Sequence, residues 1–181
     1  MKFVYVTGNE HKAKLFNDMV GLKIEHEKAD VEEIQSLDLA EIIEHKAKSA
    51  YKKLNKPVIV EDTKLVFNEL GKLPGPLIKW FLESIGVEGL CKLLDGRDKS
   101  AVAGAAIACF DGENLEIFEK ELSGKLSDKP RGKSGFGWNV VFIPTGSDRT
   151  LGEMNQAEFK KYYLQIKPFK ELRRYLDSQE A

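Results

Sequence analysis

Pro57-Val58-Ile59-Val60-Glu61-Asp62-Thr63 is the stretch on which the fold turns. Three β-branched residues behind a proline read as an interior strand, because Val and Ile pack well on a pleated, buried surface. Glu61 and Asp62 are then expected at the end of that strand, where the ligand sites of α/β sheets form. Toward the N-terminus, residues 3–6 form another short apolar run that stops at Thr7-Gly8-Asn9. From Glu10 onward Leu15, Phe16, Met19 and Val20 recur at helical spacing, so the chain opens as strand, turn and helix. A longer helix is predicted after Asp38, a good N-cap, with Leu39, Ile43, Ala47, Ala50 and Leu54 on one face.

Toward the C-terminus, Leu65, Phe67 and Leu70 continue as extended structure to the loop at 71–76. Two short helices are predicted over 77–84 and 87–94. Residues 101–110 and 115–122 flank Asp111-Gly112-Glu113-Asn114, a hairpin signal. A glycine-rich loop at 131–137 precedes a strand at 140–143, and two helices finish the chain. Pro168 opens the last as its first helical residue, since Phe169, Leu172 and Leu176 share a face after it. Strands and helices interleave around one hairpin, which predicts an α/β fold with a mixed central sheet flanked by helices, a single domain over 1–181.

Composition narrows the function. Of 181 residues 42% are hydrophobic and 31% charged, a globular balance. Lys plus Arg number 28 against 29 Asp plus Glu, and the net charge of −1 lacks the basic excess of a general nucleic-acid or membrane-surface binder. Any phosphate chemistry must use a local cluster of lysines. Cys91 and Cys109 form no CxxC pair, so neither a disulfide framework nor a zinc knuckle is expected, and a cytoplasmic setting fits. The opening apolar run is too short for a signal peptide, and no stretch approaches the roughly 20 apolar residues of a membrane span.

Within that frame, Thr7-Gly8-Asn9-Glu10-His11-Lys12 places a glycine and polar donors where a strand gives way to a helix. The N–H groups of a helix start attract phosphate, although a plain capped turn reads equally well. Adjacent carboxylates Glu61 and Asp62 suit a hard cation such as Mg²⁺, which takes one or two of them plus substrate phosphates. Glu32-Glu33 can supply another ligand, or stand as a solvated acidic pair. Gly135-Phe136-Gly137-Trp138-Asn139 sets two rings and an amide in a glycine loop, fit either to stack on a base and read its edge or to pack onto the core. His11, His26 and His45 lack metal-ligand spacing, and no GxSxG or Cys–His arrangement suggests acyl transfer.

Together, the Thr7–Lys12 hexapeptide, Val60-Glu61-Asp62-Thr63, the stretch Gly71-Lys72-Leu73-Pro74-Gly75-Pro76-Leu77-Ile78-Lys79-Trp80-Phe81-Leu82 and Gly135–Asn139 resemble the inosine triphosphate pyrophosphatase (Ham1-like) family, in its order and over nearly the whole chain. The resemblance implies two lobes around a cleft. It also implies hydrolysis of a nucleoside triphosphate to monophosphate and pyrophosphate by a Mg²⁺-dependent homodimer, with Mn²⁺ as the substitute ion, cleansing the nucleotide pool of aberrant purines. By that similarity Thr7, Gly8, Asn9 and Lys12 hold the triphosphate, and Glu33 and Asp62 serve the metal. Asp62 orients or deprotonates the attacking water with Glu61 as its neighbour. Lys46 and Lys79 contact phosphate or shape the site, Thr63 lies at the substrate, and Phe136, with Gly137, Trp138 and Asn139, meets the base.

The chain departs from that family in one region. An Asp is usual where Asn139 stands, and a Ser-His-Arg triplet where Tyr163-Leu164-Gln165 stand; no His follows His45. A deaminated purine offers a 6-keto acceptor, to which a His-Arg pair donates, and an N1–H donor, from which an Asp accepts. Leu164 cannot donate at all, and Gln165 and Asn139 can each donate or accept. Altered or relaxed base selectivity is therefore the alternative expectation, unless Lys161 or Lys167 takes over the lost contacts. A non-catalytic nucleotide-binding homologue and a Maf-like pyrophosphatase for modified pyrimidine nucleotides are further alternatives. The intact Glu61-Asp62 speaks against the first, and the LPGPxIKWFL stretch against the second.

Overall fold

The computed structural model describes residues 2–179. In chain order its elements are β1 (Val4–Val6), α1 (Glu10–Val20), β2 (Glu25–Glu27), α2 (Leu39–Leu54), β3 (Val58–Phe67), β4 (Pro74–Gly75), α3 (Ile78–Leu93), β5 (Ser100–Phe110), β6 (Leu115–Leu126), β7 (Phe142–Pro144), α4 (Gln156–Ile166) and α5 (Phe169–Gln179), with short 3₁₀ turns at Asn68–Leu70, Gly137–Val140 and Leu151–Glu153. Strand order among the described residues is β2-β1-β3-β5-β6-β7, and β4 pairs with β3 off this path. The predicted mixed sheet with flanking helices is present. The chain divides into two compact units, one of Met1–Asp62, Ala105–Glu119 and Lys167–Ala181, the other of Thr63–Gly104 and Lys120–Ile166.

In the first unit β1 pairs in parallel with β2 and with β3, through Val4↔Val58 and Tyr5↔Ile59. Alternation along a strand sends successive side chains to opposite faces, and both faces here are covered. On one, Val6, Val58 and Val60 pack with Leu39, Ile43, Ala47 and Ala50 of α2, whose apolar stripe is the one the sequence predicts. On the other, Tyr5 stacks on Phe16 of α1 at 4.0 Å, and Phe16 meets Phe169 of α5 edge-on at 5.6 Å. Burying side chains of this size stabilises the fold by about 2 kcal/mol each. Asp38 caps α2 by accepting from the Ala40 N–H. Asp111 closes the hairpin between β5 and β6, accepting from the N–H groups of Glu113 and Asn114.

In the second unit β4 pairs antiparallel with the far end of β3, through Leu65↔Gly75 and Val66↔Pro74, and β7 pairs antiparallel with β6. The two predicted helices over 77–94 occur as α3, broken at Gly86, where φ is 67° and ψ is −177°. Thr150 and Glu153 cap the turn at Leu151–Glu153 reciprocally.

Three sequence expectations need correction. Glu61-Asp62-Thr63 do not end their strand; β3 runs on to Phe67, because β4 and β5 supply backbone partners that a local apolar run cannot reveal. The strand expected at 140–143 lies at Phe142–Pro144, behind the 3₁₀ turn at Gly137–Val140. Pro168 is the cap of α5 rather than its first helical residue, its carbonyl accepting from the Leu172 N–H.

Candidate active site

In the first unit, β1 leaves β3 after Tyr5↔Ile59, just ahead of Glu61. The carboxylates therefore still follow the carboxyl end of a parallel pair, although their own strand continues. There β1 turns into α1 through Thr7-Gly8-Asn9. The Thr7 hydroxyl accepts from the Asn9 N–H at 3.2 Å, and the Asn9 side-chain oxygen accepts from the Lys12 N–H at 3.1 Å. Asn9 is thus the N-cap of α1, its oxygen committed to the helix and its NH₂ left as the donor end. The turn is tight: a Cβ on Gly8 would stand 3.0 Å from the aliphatic stem of Lys28, which crosses over it.

Strand alternation separates the two carboxylates. Asp62 shares the face of Val58 and Val60 and meets α2, where its Oδ2 lies 3.4 Å from Lys46 Nζ. The same nitrogen lies 2.8 Å from Glu33 Oε1. Glu33 belongs to the irregular segment ahead of α2, pinned there also by the Glu32 N–H donating to Ser49 Oγ. Of the acidic pair, it is thus Glu33 whose carboxylate joins Asp62. The Lys46 side chain is 14% exposed. Burial pulls its ammonium down most strongly, yet the charges and hydrogen bonds of Asp62 and Glu33 together outweigh that and hold it above its ordinary value.

Glu61 points to the opposite face, where its Oε2 lies 3.2 Å from Lys167 Nζ. Sequence reading took Glu61 as Asp62's working neighbour; the structure places it back to back with Asp62. It also shows Lys167 as Glu61's partner, which no local signal betrays because the two lie so far apart in sequence.

In the second unit Phe136 is 73% exposed, whereas Trp138 packs edge-on against Phe142 at 5.6 Å and Asn139 is buried. Gly137, with φ of 60°, lets the chain enter the turn that follows. Lys79 lies on the exposed start of α3, 5.4 Å from the Trp80 ring and 4.0 Å from Glu83. Thr63 follows Asp62 in β3 and is half-buried. Where the family triplet would stand, Tyr163 stacks on Phe159 at 4.9 Å, the Leu164 carbonyl accepts from Lys120 Nζ at 3.3 Å, and Gln165 Nε2 donates to the Lys161 carbonyl at 3.1 Å. Leu164 needs an outside donor because the residue four ahead is Pro168, which has no N–H.

No group of three or more His, Cys, Asp or Glu side chains that could hold a metal comes together among the described residues. Two hard carboxylates on one cation, Glu33 and Asp62, nevertheless fit Mg²⁺, which takes one or two of them and leaves its remaining positions to water and phosphate. Among the described residues no helix is long and apolar enough to cross a membrane.

A parallel strand pair opening into a capped turn and helix, with carboxylates gathered just past it, defines a mixed α/β protein whose polar site follows the strands' carboxyl ends. The Ham1 family model matches residues 3–175, and the chain belongs to that family. An inosine triphosphate pyrophosphatase of Yarrowia lipolytica is 41% identical, covering 97% of this chain and 96% of its own. A dITP/XTP pyrophosphatase of Hyperthermus butylicus is 37% identical, covering 94% and 92%. The solved structure of a HAM1 protein from Coxiella burnetii superposes with a TM-score of 0.84 at 20% identity, covering 98% of this chain and all of that one.

Proposed function

We propose that this chain hydrolyses non-canonical purine nucleoside triphosphates, such as ITP, dITP and XTP, to the monophosphate and pyrophosphate, as a homodimer in the cytoplasm. The observation that carries the reading is the meeting of Glu33 and Asp62 on Lys46 beside β1's exit, in a chain of the Ham1 family. Cleavage between α- and β-phosphates needs little covalent help; it needs an aligned water and positive charge on oxygens that gain charge in the transition state. Asp62 takes the water's proton or orients it, and Lys12, Lys46 and the first N–H groups of α1 hold the phosphates, with Thr7, Gly8, Asn9 and Thr63 around them. Glu33 and Asp62 would hold Mg²⁺ or Mn²⁺, which supplies further positive charge to the phosphate oxygens. Lys79 adds charge for the substrate, Phe136 stacks on the base, and Gly137, Trp138 and Asn139 shape the loop that carries it.

A second reading, weakened or redirected base selectivity, is favoured by a specific set of contacts. Gln165 is turned to its own helix, Lys161 lies over the Tyr162 ring at 5.1 Å, and Lys167 is bound to Glu61, so the lysines that could replace the His-Arg pair have other partners. A site that leaves a substrate's polar edge unpaired can lose about 10⁴-fold in discrimination. Pyrophosphate release measured on ITP, dITP, XTP and the four common dNTPs tests both readings. Activity should need a divalent cation and fall about 10³-fold in Asp62→Asn. No release from any substrate would leave a nucleotide-binding homologue instead, and strong preference for ITP over ATP and GTP would remove the second reading.

A further inference from the structure

Lys46 sits where two carboxylates converge, and its ammonium meets both of them. Nζ lies 2.8 Å from Glu33 and 3.4 Å from Asp62, on a side chain 14% exposed, with the carboxylates delivered by two other elements, the segment ahead of α2 and strand β3. Two anions brought this close repel unless a cation stands between them, most of all on the side of Asp62, the more buried of the two. The chain supplies that cation itself, from the middle of α2, on a stem anchored next to the fully buried Ala47. A lysine that only met substrate phosphate would have no need of both carboxylates, and one that only braced the fold would not be aimed at the two residues best suited to a hard metal ion.

We propose that Lys46 is a tethered place-holder cation: it keeps Glu33 and Asp62 gathered while no divalent ion is present, and gives them up when one is bound. The proposal rests on the functional reading above for its metal ligands and deepens it by assigning Lys46 a role toward them. Lys46 competes with the ion for the same oxygens, so loading is weaker than the bare carboxylates would allow. Once released, the ammonium is already at the site and available to a polyanionic substrate, which ties cation loading to substrate binding.

Competition and bracing predict opposite signs. Mn²⁺ affinity is measured without nucleotide, by electron paramagnetic resonance of the free ion, for the wild type and for Lys46→Gln, alongside thermal unfolding with and without Mn²⁺. Lys46→Gln should bind Mn²⁺ about tenfold more tightly, melt below the wild type without metal, and recover more than the wild type when Mn²⁺ is added. Unchanged affinity would assign Lys46 to phosphate alone, and weaker affinity would make it a brace; either overturns the proposal. Lys46→Met keeps the stem without the charge and repeats the measurement if the glutamine variant does not fold. Pyrophosphate release by the wild type is scored separately: its absence counts against the proposed activity, whereas Mn²⁺ affinity alone decides the role of Lys46.

Discussion

Lys167 and Glu61 face each other with 4% and 15% of their side chains exposed, so neither charge has much water to fall back on. Removing one partner strands the other, at a cost of about 3 kcal/mol, while removing both exchanges an ion pair for packing at little net change. Lys167→Met should therefore lower unfolding free energy in urea by about that amount, and Lys167→Met with Glu61→Leu should recover most of it. Equal losses in the single and double variants would show that the pair is not what matters there. This contact marks what a string of residues conceals. Asp62 could be singled out from the sequence because it follows an apolar run, whereas Glu33 stood out from Glu32 only through the family resemblance. Lys167 carried no signal, and neither did Lys28, whose stem closes over Gly8, because both are brought in by tertiary packing. The back-to-back arrangement of Glu61 and Asp62 was implicit in strand periodicity, but only once β3 was known to continue past them.

The starts of α1 and α2 were legible nearly to the residue, since a stripe of apolar side chains behind a cap suffices to define them. The α2 stripe and the Phe169, Leu172 and Leu176 face of α5 are buried as their spacing requires. The full length of β3 was not legible, because the polar run Glu61-Asp62-Thr63-Lys64 looks like an ending and only neighbouring strands keep it extended. Between these cases stands α3. Its break at Gly86 has φ 67° and ψ −177°, a region almost closed to side chains, yet a Cβ there would make only an ordinary 3.6 Å contact with Glu88. The penalty of Gly86→Ala is therefore one of backbone strain alone, about 1–3 kcal/mol. Chemical denaturation should report it as a shift in midpoint at constant slope. A midpoint that does not move would mean that the helix straightens at no cost.

For the whole molecule, the thiols report on how closed the interior is. Cys109 is fully buried and Cys91 nearly so, and burial pushes the Cys109 thiol well above its ordinary value and raises that of Cys91. The reactive thiolate is then scarce as well as hidden. A disulfide reagent such as Ellman's should label neither in the native protein and both in denaturant; prompt native labelling would contradict the packing around β5 and α3. At this scale the family and the mixed sheet were legible, whereas the partners of residues 163–165 were not. The residues at 163–165 depart from the family pattern, and their partners, Lys120 and the α4 backbone, lie outside any motif.

The first compact unit draws on three separate stretches of chain, and its last contribution, which carries Lys167 and α5, follows every residue of the second. On a translating ribosome the order of emergence is therefore inverted relative to the order of completion. The unit that begins to appear first must wait, with the α1 and β1 surface that α5 will cover still open to water and to chaperones, until the second has been synthesised in full.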